Sequence, residues 1–310
     1  MKLSSLGIWF CVLLALPRPG SGHVGGEPVP VLEFAPDQVP DVHDGSLADW
    51  ERAWGGLEPA YTKSDARPLN TAADFGLHPL DLEFNWYFGW SAAANRLYFA
   101  AQVFDDIYLR PEGLDIESHA FFYDSLELMV DGDHSGGWYS GFTARSYPGE
   151  VSPAEDSLMT NLQAQHYSLF PPWPRPAGIA AYSHGAGWVD RPPYAEVGGG
   201  VVPGAAAAGS LAKRTQYLVE GYVTVWDSLV WHSPDESRPS QLAPGRIVGV
   251  QISVSDCDTQ PGNCHGYFTL AGAQNAWRHA FQFVDVELVA SPRPSAVQDD
   301  SWARIKASFK

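Results

Sequence analysis

Apolar and polar residues alternate with a period of two along several stretches of the chain. In residues 95–106, NRLYFAAQVFDD, Leu97, Phe99, Ala101 and Val103 fall on one side and Tyr98, Ala100, Gln102 and Phe104 on the other. In residues 124–133, DSLELMVDGD, Leu126, Leu128 and Val130 oppose Ser125, Glu127 and Met129. QYLVEGYVTVW, RIVGVQISVSD and FQFVDVELVA behave the same way. A period of two predicts strands with one face on a core, whereas no segment sustains helical spacing. Half-buried strands pair into antiparallel sheets, and two such sheets must cover each other. The pattern therefore predicts an all-β chain, an antiparallel β-sandwich of jelly-roll type.

Residues 148–214 break the pattern with PPWPRP and the Gly-rich GGGVVPGAAAAG. This density of Pro and Gly predicts an irregular excursion between strands, a long loop insertion suited to a binding surface. The 30 Gly and 25 Pro of the whole chain suit a β-protein rich in turns. At the start, Lys2, the apolar run 6–16 and Gly20-Ser21-Gly22 have the order of an export signal, so residues 1–22 are expected to be removed. The apolar run is shorter than the ~20 residues a membrane helix needs, and no transmembrane segment is expected. Cys11 lies inside that run, after bulky Phe10, where lipid attachment is disfavoured. Residues 23–290 read as one sandwich domain. Residues 291–310 read as a linker, Ser291-Pro292-Arg293-Pro294, and a short tail in which Trp302, Ile305 and Phe309 would share a helical face. The final location is outside the cytoplasm: periplasm, cell surface or medium.

Charge narrows the function. The formal net charge is −17, and loss of Lys2 and Arg18 with the signal leaves 17 basic against 36 acidic residues, or −19. A phosphate backbone needs a basic surface, so nucleic acid is excluded as partner. After signal removal Cys257 and Cys264 remain, flanking a Pro-Gly turn, and in an exported chain they are expected to form a disulfide. Closing a loop of about 8 residues stabilises by ~2.5 kcal/mol through the unfolded chain. A two-Cys metal site is the alternative, without a second pair to complete it.

Twelve Trp, eleven of them outside the signal, point to flat apolar surfaces. Such rings cover the C–H face of a sugar, while Glu, Gln, Asn and Arg bind its hydroxyls. The competing reading places most of these Trp in the core. The segments HDGSLADWERA, NRLYFAAQVFDD, DSLELMVDGD, YLVEGYVTVW, RIVGVQISVSDCD and NAWRHAFQFVDVELV, in that order, resemble the family 9 carbohydrate-binding modules over about residues 41–290. The resemblance implies a β-sandwich associated with glycan-degrading enzymes, a terminal sugar held between two aromatic rings, and structural calcium. By position it implies Trp277 as one ring, Phe121 or Phe122 as the other, and Glu127, Gln165, Tyr167, Asn275 and Arg278 as hydroxyl binders. This chain offers Phe where a larger Trp is usual, and His166-Tyr167 where an Arg is expected.

Asp131, Asp133 and Ser135 have the spacing of the first half of a calcium loop, although Phe142 at the twelfth position excludes a helix-loop-helix site. Asp44 with Asp49, or Asp105 with Asp106, are further candidates. No Gly-x-Ser-x-Gly elbow, His-Glu-x-x-His or phosphate loop is present, and 36 acids make any carboxylate pair uninformative for catalysis. The reading is an exported, non-catalytic carbohydrate-binding domain linked to polysaccharide breakdown. Its alternatives are a hydrolase of O-glycosyl compounds or its subunit, a haem-binding electron-transfer sandwich of the DOMON type using Met and His, and a surface domain whose sugar site has decayed.

Overall fold

The fold is described from a computed structural model that defines residues 23–24, 26–69, 81–109, 123–137, 139, 164–171, 176–181, 187–201, 211–230, 233–258 and 266–291. The export segment, Phe121, Phe122, Cys264 and the tail from residue 292 lie outside the described residues.

The strands are β1 (Val29–Glu33), β2 (Tyr61–Thr62), β3 (Ala66–Leu69), β4 (Leu82–Ser91), β5 (Arg96–Leu109), β6 (Leu126–Asp131), β7 (Gln165–Phe170), β8 (Gly178–Ala181), β9 (Ala195–Val201), β10 (Leu211–Val223), β11 (Trp226–Ser228), β12 (Arg238–Pro239), β13 (Ile247–Asp256), β14 (Gly266–Leu270) and β15 (Val284–Val289). One α-helix, α1 (Ala48–Trp54), precedes β2. A single sheet runs β8-β7-β6-β13-β15-β1-β4-β5-β10-β9, with β14, β3 and β2 branching from it, and β11 pairs with β12 separately. The terminal strands β8 and β9 approach each other, so the sheet curls almost into a barrel. Its two halves face across one core, which gives the expected all-β, sandwich-like fold. None of the described helices is long and apolar enough to cross a membrane.

Two features depart from expectation. The sheet is mixed, because β1 pairs in parallel with both β15 and β4. The segment 148–214 also supplies β7, β8, β9 and the start of β10 instead of a wholly irregular loop. Glycine in β9 serves close packing there. A Cβ on Gly198 would lie 2.0 Å from the Val42 carbonyl oxygen, so only a bare backbone lets the segment 41–46 lie against the strand.

Alternation along β5 places its side chains as the sequence predicts. Leu97, Phe99, Ala101 and Val103 join the central core with Leu126, Leu128 and Val130 of β6 and Val250, Ile252 and Val254 of β13. Tyr98 and Ala100 point the other way and are covered by Phe34, Val42 and Trp50. Trp50 is fully buried, its ring edge-on to Phe34 at 5.1 Å between centroids. The helix that carries it has Asp49 and Glu51 in its first turn, favourable to the helix dipole, and ends at Gly55 in the left-handed conformation, φ 70°. A third cluster lies on the outer face of β6, where Met129 packs with Tyr139, Ala276, Ala280 and Phe283. That face carries the candidate site.

Candidate functional site

Register fixes which side chains share the outer face. Leu128 stands opposite Tyr167, and Glu127 opposite Ser168. Glu127 also faces Ser253 on β13, which in turn faces Thr269 on β14. The outer face therefore holds Glu127, His166, Ser168, Ser253, Tyr267 and Thr269, a polar surface on strands whose inner face is apolar.

Glu127 is buried at 4 % exposure. The Tyr267 hydroxyl donates to its Oε2, and His166 Nε2 lies 3.5 Å away. Burial alone would raise its pKa, but the attraction of His166 and hydrogen bonds from His166, Tyr267 and Ser253 outweigh it and hold the carboxyl below its usual value. Glu127 is thus a charged acceptor at neutral pH.

The loop between β14 and β15 closes over the same face. Trp277 is half-buried and packs on the cluster containing Met129, two residues from Glu127 on the same side of β6. The Arg278 guanidinium lies 4.8 Å from the Trp277 ring centroid and donates to Asn275 Oδ1 at 3.4 Å. Buried anchors hold the loop. Asn275 N–H donates to Gln282 Oε1 at 2.7 Å, the Tyr139 hydroxyl to the Ala276 carbonyl at 2.5 Å, and Ala280 N–H to the Gly137 carbonyl at 2.7 Å. Phe281, 49 % exposed, stands beside His279 on the same loop and was not singled out by the sequence.

Gln165 and Tyr167 take the opposite face. Gln165 Nε2 donates to the Tyr167 hydroxyl and to the Thr224 carbonyl, each at 2.8 Å, and its Oε1 accepts from Trp226 N–H at 3.1 Å. The side chain ties β7 to the start of β11 inside the sandwich. The structure thus gathers Asn275, Trp277 and Arg278 on one loop that packs over Met129, on the face that also carries Glu127. It leaves Gln165 and Tyr167 in the core and places His166, the alternative partner of Gln165 in the polar pair, beside Glu127.

Two described clefts lie elsewhere. One is lined by Leu32, Trp54, Glu58 and Phe88. The other is lined by Glu83, Asn85, Gln102 and Gln216. Neither includes a residue of the Glu127–Trp277 face.

Acidic side chains also gather elsewhere among the described residues. Asp44, Asp49 and Glu220 present oxygens within 4.8 Å of one another. Glu220 is fully buried and neither of its oxygens closes a hydrogen bond, although Ser46 and Trp50 lie near enough to favour its charge. Burial, with Asp44 and Asp49 adding to it, pushes its pKa up to about 8. Asp105, Asp256 and Asp258 form another group, where burial first and neighbouring carboxylates next raise Asp256 to about 8 and Asp105 well above its ordinary value. Asp124 beside them is raised for the same reasons. In the loop expected to bind calcium, Asp131 Oδ2 accepts from Gly136 N–H at 2.8 Å and contacts His23, while Asp133 accepts from Ser135 N–H at 3.1 Å.

The architecture matches two solved structures. Both are family 9 carbohydrate-binding modules from Caldicellulosiruptor kristjanssonii, one in complex with cellotriose and one with glucose. Each superposes with a TM-score of 0.50, at 14% and 13% identity respectively. Each match covers 87% of this chain and 98% or 97% of the module. The fold is that of a family 9 carbohydrate-binding module. No family model and no curated protein matches the sequence.

Proposed function

We propose that the chain is a carbohydrate-binding domain whose ligand stacks on Trp277 above the polar outer face of β6, β7, β13 and β14. The observation that carries this reading is a half-buried indole, held by an anchored loop, beside a face that keeps a carboxylate charged. Trp50, Trp86 and Trp90 are fully buried by contrast. A sugar ring needs both kinds of surface, an apolar plane for its C–H face and polar groups for its hydroxyls. Arg278 and Asn275 are the accessible hydroxyl partners. Glu127, held by His166 and Tyr267, supplies a negative charge on the same sheet face. The described neighbours in this fold were solved with cellotriose and glucose, which makes β-glucans the first ligands to try.

The finer reading follows the sequence. The chain is exported by residues 1–22, joins Cys257 to Cys264, and acts alongside enzymes of polysaccharide breakdown. Calcium is the expected ion of this fold, and the Asp44–Asp49–Glu220 group suits it: three oxygens converge, one from a buried carboxylate without a hydrogen bond, and hard oxygen donors are what calcium takes. There it would tie the segment before α1 to β10. Asp105, Asp256 and Asp258 would hold a second ion in the same way.

Isothermal titration of the full chain with cellotriose, glucose and a panel of oligosaccharides tests the proposal. The wild type should bind at least one of them, and Trp277→Ala should weaken that binding about 10–100-fold, ~1.4–3 kcal/mol for a stacked ring. Absence of binding across the panel, or an unchanged Trp277→Ala, would contradict it. Release of reducing sugar from the same substrates would place the chain among hydrolases instead.

A further inference from the structure

A row of three residues runs across neighbouring strands on the outer face: Asp131 on β6, Gly249 on β13 and Asp285 on β15. Gly249 is directly opposite each of the two acids. The missing side chain leaves a slot between two carboxylates, and the His23 ring fills it. A Cβ on Gly249 would lie 2.0 Å from His23 Cε1. Inside the slot His23 Nδ1 lies 2.7 Å from Asp285 Oδ1 and its Nε2 lies 3.0 Å from Asp131 Oδ2. The backbone is pinned next to it, Val24 N–H donating to the Phe283 carbonyl at 2.9 Å.

A second imidazole converges on the same oxygen. His134 Nε2 lies 2.8 Å from Asp285 Oδ1, and the two rings meet edge to face at 4.1 Å between centroids. His134 reaches this place from a backbone in the left-handed region, φ 57°, which non-glycine residues seldom occupy.

We propose that His23, His134 and Asp285 form a binding site for a divalent transition-metal ion. Their donor atoms lie within 4.8 Å of one another. Metal–ligand bonds of ~2.0–2.2 Å separate neighbouring donors by roughly 3.3 Å, so the present contacts need open by only about half an ångström to admit the ion. Two imidazoles and one carboxylate select zinc, copper, nickel or iron(II), and not calcium. With His23 Nδ1 turned to the metal, Nε2–H stays on Asp131, the carboxylate–histidine–metal relay that fixes a ligand's tautomer and orientation. Asp131 is itself held by Gly136 N–H, and its Oδ1 is buried without a hydrogen-bond partner. The side chains of Asp285 and His134 are 16% and 26% exposed, so the ion would keep a solvent-facing position for water or a ligand. Cleavage after Gly22, which the proposed export implies, would make His23 the first residue and add its amino nitrogen as a donor. The three side-chain ligands stand without it, and stoichiometry does not depend on it.

The test uses the full chain, expressed without a histidine tag and stripped with a chelator, titrated with zinc chloride by calorimetry and with cobalt(II) by visible absorption. One zinc per chain should be tightly bound, with a cobalt absorption band displaced by zinc. His134→Ala and Asp285→Asn should each abolish that site while leaving the circular-dichroism melt near the wild type's, and Asp131→Asn should weaken it about 10–100-fold. Glu220→Gln, in the acidic group beside α1, should leave it intact. A wild type that retains no zinc, or zinc uptake unchanged in both His134→Ala and Asp285→Asn, would overturn the proposal. Sugar binding by these variants reads the separate question of the Trp277 site.

Discussion

Leu128 stands opposite Tyr167 across β6 and β7, and this one pairing decides the fate of four candidate residues. It puts Tyr167 and Gln165 in the interior and leaves Glu127 and His166 together outside. Alternation in the sequence places Glu127 opposite Leu126 and Leu128, as the structure has it. Parity within one strand says nothing about which face of the neighbour it joins, so the two sets could not be aligned without the register. Gln165 shows what the interior position costs to change. Gln165→Leu would leave the Thr224 carbonyl and Trp226 N–H unpaired in the core, and we expect a loss of ~2–4 kcal/mol, read from the urea midpoint. An unchanged midpoint would return Gln165 to the surface. His23 and His134 were invisible as a pair for a related reason: 111 residues separate them, and only the Gly249 slot between Asp131 and Asp285 brings them together.

At the scale of elements, alternation disclosed β5, β6, β10, β13 and β15, because each has one face on the central core. β4, LEFNWYFGWS, has the same period although it is not among the stretches named from the sequence: Leu82, Phe84, Trp86, Phe88 and Trp90 enter the central core, and Tyr87 on the other face joins the cluster of Trp50. Helix α1 has only 7 residues, too few for a helical period to stand out. Its attachment rests on Trp50 instead. Trp50→Ala should cost ~3–5 kcal/mol in chemical denaturation, as for other large core truncations. A cost under ~1 kcal/mol would mean that α1 is not an integral cover of the sheet. Gly198→Ala should also destabilise, since its methyl would meet the Val42 carbonyl and push the segment 41–46 off β9.

For the molecule as a whole, the net charge of −17 is concentrated in part on carboxylates that the fold buries together. Glu220 and Asp256 have pKa values near 8 against 4.5 and 3.8 for ordinary groups, so in the metal-free chain they hold protons that the unfolded chain has already released. Their contribution to stability is therefore full below about pH 4 and is lost as pH rises towards 8. In chelator, the thermal midpoint should fall from pH 5 to pH 8. Calcium should restore it at pH 8, and Glu220→Gln should exceed the wild type there without calcium. A midpoint independent of pH and calcium over this range would remove both acidic groups as ion sites. The central claim, a sugar on Trp277, is tested most directly by the indole N–H signals of the 15N-labelled chain during titration with cellotriose, Trp277 being assigned from Trp277→Phe. The Trp277 signal should shift and saturate while those of buried Trp50, Trp86 and Trp90 stay in place. A stationary Trp277 signal, with saccharide binding evident elsewhere or nowhere, would contradict it.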